Sequence, residues 1–454
     1  MNRWIALTAL IGMIGITGCG DSKTGGTGGG AAGGTGGAGD SGAGGAGSTG
    51  GMVEVSGDIK MDTTWSADKT YLLKAHTFVE GATLTIEPGT TILGDTGSSL
   101  VITQTAKILA AGTKDKPIVF SSAKPAGTRK AGDWGGVVLL GKAPINVAGG
   151  TQKIEGFPAS ETRTGYGGTD AAHNCGTLKY VRSEFAGFQL APDNELNSIT
   201  LGGCGSATTV DYVQTLLGND DGIEIFGGSV NVTHAVISQP DDDGLDTDFG
   251  WIGKAQWIIV QQNKLTGDKA FEWDNNNSAH DAEPRNNPQV WNVTLVGSGA
   301  GAGMAGKKQG AMHLRRGTAG TIGNGIVVNF ADSVINVSNT STVTQMMSGA
   351  LAVKSSIFWN NAGAMSFSWP AETGMADDDM GFDEAMSIAA AANVNKEMDP
   401  MLGDVSTVTA PNFKPKAALT GGAEPPAGLD TTARYYGAIG ENDWTAGWTA
   451  YPSN

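Results

Sequence analysis

The residues with the clearest capacity for chemistry are carboxylates. Asp220, Asp221, Glu224, Asp242, Asp243, Asp246 and Asp248 fall in or beside two short segments, Gly218-Asn-Asp-Asp-Gly-Ile-Glu-Ile225 and Pro240-Asp-Asp-Asp-Gly-Leu-Asp-Thr247. The segments repeat at an offset of 22 residues, so Asp221 maps to Asp243 and Glu224 to Asp246. From Ser183 to Gly253 there are twelve Asp or Glu and no Lys or Arg. Carboxylates gathered this densely repel one another, by about 1 kcal/mol per pair at 4 Å in water and by several at a protein surface. A bound cation, partial protonation, or backbone N–H donors must relieve that repulsion. Ca2+ fits the donor set, because it is hard and takes six to eight oxygens. The competing reading is turn chemistry, in which Asp caps backbone and Gly supplies a positive φ. Paired carboxylates also serve glycoside hydrolysis, at about 5 Å for retention and about 6.5–9.5 Å for inversion. Asp220 with Asp242, or Asp221 with Glu224, are the candidate pairs.

The elements that must position these side chains read as strands. Thr83-Leu-Thr-Ile86, Leu100-Val-Ile-Thr103, Val137-Val-Leu-Leu140, Ser198-Ile-Thr-Leu201, Trp257-Ile-Ile-Val260 and Val290-Trp-Asn-Val-Thr-Leu-Val296 are short, β-branched and bounded by turn residues. Val210 maps to Val232 with the same 22-residue offset. A period in the low twenties with several strands per period predicts an all-β solenoid whose stacked coils share one core. A β-sandwich would not require the same residue types at a fixed offset. Stacked coils place equivalent residues about 4.8 Å apart. Looser echoes at Ala270-Phe-Glu-Trp-Asp274 and Ala311-Met-His-Leu-Arg315 extend the second column to Glu272 and His313. Asp383 to Ala392 is amphipathic and predicts one helix near 382–392. The segment after Asp399 predicts an irregular last coil with Trp444, Trp448 and Tyr451 packing back.

The N-terminus predicts an address. Arg3 precedes an apolar run from Trp4 to Ile16. As a helix that run reaches about 20 Å, short of the ~30 Å a bilayer core needs. It suits a secretory leader, residues 1–18. Ile16-Thr17-Gly18-Cys19 resembles a bacterial lipobox, with Cys19 the acylated residue; an ordinary signal peptide containing a cysteine is the alternative. Sixteen of the 27 residues from Gly25 to Gly51 are Gly. Such a segment cannot offset its ordering entropy, so 19–52 is expected to be a disordered tether. No later stretch is apolar enough to span, and the body is 53–454. Asp21 at the third mature position, with Gly20 at the second, lacks a simple inner-membrane retention signal. Outer membrane or cell surface is the expected location.

The net charge of −16 argues against nucleic acid and is compatible with cations, glycans or cationic surfaces. Cys175 and Cys204 form an even pair in an exported chain, which favours a disulfide over two buried thiols. The five histidines show no paired metal spacing. His234 reads as a strand residue, packed or turn-facing. No phosphate loop and no Gly-x-Ser-x-Gly elbow is present. Trp251, Trp273, Trp291 and Trp359 are candidates for a sugar-stacking surface, with packing beneath loops as the alternative.

Ala82-Thr-Leu-Thr-Ile-Glu-Pro-Gly-Thr90, Ile108-Leu-Ala-Ala-Gly-Thr113, Lys116-Pro-Ile-Val-Phe-Ser-Ser122 and Gly132-Asp-Trp-Gly-Gly-Val137 resemble the opening coils of right-handed parallel β-helix surface proteins. Tyr166-Gly-Gly-Thr-Asp170, Glu184-Phe-Ala-Gly187, Asp246-Thr-Asp-Phe-Gly250, Arg315-Arg-Gly317 and Asp443-Trp-Thr-Ala-Gly-Trp448 resemble an uncharacterised family of bacterial lipoproteins with a pectin-lyase-like fold. The resemblance implies a right-handed parallel β-helix over nearly all of 53–454. Pectate lyases of this shape hold Ca2+ on acidic side chains of one sheet and use Arg or Lys as base. That makes Arg315, Arg316 and Glu272 catalytic candidates, with Lys307 and Lys308 nearby. The Arg-Ile-Lys and Gly-His-Gly signatures of catalytic β-helices are absent. The expectation is therefore a binding or adhesion protein presenting an acidic face to glycans. The alternative is a Ca2+-dependent polysaccharide lyase or a glycoside hydrolase.

Overall fold

Short β-branched runs cannot bury an apolar face alone, and the chain winds them into stacked coils. The structure, a computed structural model, describes residues 51–158, 160–191, 194–299, 309–331, 333–361 and 379–452. The leader, Cys19 and the tether to residue 50 lie outside the described residues, as do Lys307 and Lys308. The body forms one compact unit, Ser48–Asn454.

One face of the solenoid is a nine-stranded sheet whose strands stack in chain order. They are β1 (His76–Val79), β2 (Ser99–Ile102), β3 (Val137–Leu140), β4 (Ile199–Gly202), β5 (Ile223–Phe226), β6 (Leu245–Asp248), β7 (Lys269–Asp274), β8 (Gly310–Arg315) and β9 (Ser333–Val337). Every neighbouring pair is parallel. The other faces merge into a seventeen-stranded sheet. They merge because long strands such as Thr209–Leu216, Asn231–Ser238 and Lys254–Gln261 each bend at one residue. Those residues, Tyr212, His234 and Trp257, have φ of 54°, 51° and 61° and drop out of the register. The architecture is the expected right-handed parallel β-helix.

Inward residues form a continuous core through Leu84, Ile108, Val137, Ile199, Ile225, Phe271, Met312 and Ile335, all 0–1 % exposed. Cys175 and Cys204 are joined as a disulfide inside it. The left-handed bends present a stack of rings, Tyr180, Tyr212, His234 and Trp257, with centroids 4.3, 4.0 and 4.3 Å apart. His234 is thus packed, as expected, and its Nδ1 lies 2.8 Å from Asp211 Oδ1. Trp444 and Trp448 meet the stack edge-on. The C-terminal segment runs back over this face, held by bonds such as Gln214 Nε2 to Ala450 O at 2.8 Å.

Two helices interrupt the coils among the described residues. α1 (Thr340–Ser348) has no counterpart in the sequence expectations. α2 (Glu384–Ala389) is the expected helix, N-capped by the Asp383 side chain. It stops early because Ala390 leaves the helical region, and a single 3-10 turn follows at Ala391–Asn393. Among the described residues no helix is long and apolar enough to cross a membrane.

Candidate functional site: an acidic cleft on the nine-stranded sheet

Strand alternation decides which side chains face out. In β5 to β8, Ile223, Ile225, Leu245, Thr247, Phe271, Trp273, Met312 and Leu314 point into the core. The residues between them face out in two columns. Direct register pairs build the first column: Glu224 with Asp246, Asp246 with Glu272, and Glu272 with His313. In the second, Phe226 pairs with Asp248 and Asp274 with Arg315. Asp221 and Asp243 stack just before the strands, the later N–H donating to the earlier Oδ1 at 2.9 Å. Asn197 Oδ1 begins this ladder on the Asp221 N–H at 3.2 Å, and Asp243 Oδ1 continues it to the Lys269 N–H at 2.6 Å.

Part of the turn reading therefore holds, with a change. The two Asp cap backbone across coils rather than within their own turn. Gly222 and Gly244 are not in the left-handed region; they are there for close approach. A Cβ on Gly222 would lie 2.3 Å from Ile237 Cγ2, and one on Gly244 would lie 2.5 Å from the Ala270 carbonyl oxygen.

The caps use only part of the acidic charge. Oxygens of Asp220, Asp221 and Asp242 lie within 4.8 Å of one another, as do those of Asp221, Glu224 and Asp246, of Asp242, Asp243 and Asp268, and of Asp243, Asp246 and Glu272. All of these but Asp268 line a solvent-open cleft of about 430 Å³ with Glu155, Glu195 and Asn219. At an effective dielectric of about 20, two such charges 4.8 Å apart repel by roughly 3–4 kcal/mol. Burial, and then the neighbouring negative charge, holds Asp221, Glu224, Asp243 and Asp246 well above the usual carboxylate range. Burial, and then Glu195, raises Glu155 in the same way. Asp246 Oδ1 is buried and has no hydrogen-bond partner. A buried carboxylate oxygen left so is costly and calls for a ligand.

Other expected residues stand differently. Asp248 belongs to none of the close groups, because it faces out in the second column, where burial and then Asp274 push it up to about 8. Glu272 lines the cleft, but both its oxygens are engaged, one by Arg315 and one 3.0 Å from His313 Nδ1. Burial would raise its pKa, yet Arg315 and His313 outweigh burial and hold it well below the usual range. Arg315 also donates Nε to Asp274 Oδ1 at 2.7 Å, and Arg316 pairs with the other Asp274 oxygen. Against the cost of burial, the two carboxylates fix the Arg315 guanidinium more firmly in its charged form. That placement works against Arg315 as a proton acceptor. The tryptophan surface is not formed: Trp251 and Trp273 are 0 % exposed and Trp291 3 %. Trp273 alternates inward from Glu272, and Trp251 donates its Nε1–H to Val230 O. Only Trp359 of the four is exposed.

Sequence reasoning missed Glu155, Glu195, Asn197 and Asp268. Asn197 lies one coil before Asp221 and was findable by continuing the ladder upstream. Glu155 and Glu195 come from excursions between β3 and β4, which carry no period.

The family described as a pectate-lyase-like beta helix domain has a sequence profile that matches residues 57–449. No curated protein matches the chain, and no solved structure does.

Proposed function

This chain belongs to the pectate-lyase-like β-helix domain family, and we propose that it is an exported binding protein whose acidic cleft takes up divalent cations, Ca2+ first. Through the bound cation it would hold anionic polysaccharide at the cell envelope. The observation that carries the reading is the unpartnered buried oxygen of Asp246 among carboxylates within 4.8 Å. The all-oxygen donor set suits Ca2+. Asp220, Asp221, Glu224, Asp242, Asp243 and Asp246 would hold it. Glu272 stands outside that set because both its oxygens are committed. Ca2+ takes more oxygens than a one-sided cleft supplies, so a uronate carboxylate is the natural completing ligand. A lipid on Cys19 would hold the body at the outer membrane or surface by its tether.

Binding is favoured over cleavage of the sugar chain because the arginine proposed as a lyase base is tied in ion pairs. The test is retention of the purified chain on polygalacturonate and alginate with Ca2+ and with chelator. Ca2+-dependent retention without cleavage is expected. New ultraviolet-absorbing unsaturated ends would assign a lyase, and new reducing ends without that absorbance a hydrolase. Equal retention with chelator overturns the proposal.

A further inference from the structure

One arrangement on this face uses none of the six residues proposed to hold the cation. Ser338 directly follows β9, and Asn339 turns the chain with φ 75° into α1. The Ser338 N–H donates to Leu314 O at 2.9 Å, which fixes the serine beside β8. His313 lies on that strand, 5 % exposed. Its Nε2 is 3.0 Å from Ser338 Oγ, and its Nδ1 is 3.0 Å from Glu272 Oε1. Three residues far apart in the chain, on β7, on β8 and after β9, thus form a hydroxyl–imidazole–carboxylate relay.

We propose that Ser338, His313 and Glu272 form a serine-esterase site acting on carboxylic esters such as acetyl esters. With its proton on Nδ1, facing the Glu272 oxygen, His313 leaves Nε2 to accept from the serine. Arg315 on the other Glu272 oxygen holds that carboxylate in orientation. The serine proton has a second acceptor, Asn336 Oδ1 at 3.2 Å; the histidine contact is the shorter. Ser338 is half-buried and follows an outward-facing column, so an ester can reach it.

Ser338 Oγ attacks the carbonyl carbon as its proton passes to His313 Nε2. The C–Oγ bond forms and the carbonyl oxygen takes the negative charge. Collapse breaks the bond to the alcohol oxygen, which takes the proton from His313 and leaves as the alcohol. Water then attacks the acyl-serine, again giving its proton to His313, and the carboxylic acid departs as Ser338 is reprotonated. One ester and one water give one alcohol and one acid. Ser338 and His313 are catalytic residues; Glu272 is a positioning residue.

The test uses the full chain in chelator, so its outcome does not depend on the cation site. A fluorophosphonate probe should phosphonylate Ser338, located by peptide mass spectrometry, and p-nitrophenyl acetate should be hydrolysed. Ser338→Ala should abolish both. His313→Gln, checked as folded by circular dichroism, should slow both by roughly 100-fold or more. Glu272→Gln should lower kcat with KM unchanged, and Glu272→Asp should restore part of it. No label on Ser338, equal labelling in His313→Gln, or unchanged hydrolysis in Ser338→Ala overturns the proposal. An effect of Glu272→Gln on KM alone overturns its positioning role.

Discussion

The acidic cleft makes stability depend on pH and Ca2+ together. Asp221, Glu224, Asp243 and Asp246 titrate above their ordinary range in the folded chain, and Asp248 is pushed up to about 8. Between the unfolded carboxylate value of about 4 and these raised values, the folded state binds more protons than the unfolded one. Without a cation, stability must therefore fall as pH rises through that window, for Asp248 up to about 8. Ca2+ competes with the same protons, so its effect must grow with pH. At 100 times its Kd, a ligand adds about 2.7 kcal/mol. The unfolding entropy is about 2.1 cal/mol/K per residue. For the roughly 400-residue unit Ser48–Asn454, that is about 0.8 kcal/mol/K, and the expected rise in Tm is about 3 °C. Calorimetry at pH 5 and pH 8, with Ca2+ and with chelator, reads this directly. The rise should be present at pH 8 and nearly gone at pH 5. In Asp243→Asn/Asp246→Asn it should be lost at both. Asparagine keeps the oxygen that accepts from the Lys269 N–H while removing two charges, so the variant without Ca2+ should melt above the wild type at pH 8. An undiminished Ca2+ response in the double variant would refute the reasoning. So would a wild-type Tm in chelator that is flat from pH 5 to pH 8.

Two further perturbations probe the frame around the cleft. Cys175 and Cys204 close a loop with a sequence separation of 29, for which chain entropy gives about 3–4 kcal/mol; Cys175→Ser/Cys204→Ser should lower Tm by about 4–5 °C in calorimetry. Arg315→Leu leaves Glu272 and Asp274 without their shared cation, and breaking a buried pair of this kind costs about 3–5 kcal/mol. Because Arg315 holds Glu272 below its ordinary range, the stability lost is that present above the unfolded carboxylate pKa of about 4. Urea melts of wild type and variant should therefore differ most near neutral pH and converge in acid.

Coil architecture and the acidic columns were legible because neighbouring coils there have nearly constant length. The registers Ile199 to Ile223 and Ile223 to Leu245 are offsets of 24 and 22 residues, close enough for one echo to reveal the stacking of Asp221 on Asp243 and Glu224 on Asp246. Farther on, Leu245 to Phe271 and Phe271 to Met312 are offsets of 26 and 41, and the echo fades. The sequence alone determined short β-branched strands, their winding into a solenoid, and a concentration of carboxylate on one stretch of it. Alternation and coil length are local properties, written wherever the chain repeats. Tertiary structure alone decided that Trp251 and Trp273 turn inward, that Glu155 and Glu195 reach the cleft from excursions, and that Arg315 is taken up by Glu272 and Asp274. It also brought Ser338 to His313, across 25 residues, and His313 to Glu272, across 41. Those meetings depend on how many residues each coil spends outside the strands before it returns. No local pattern carries that length, and only the stacked coils bring the residues into contact.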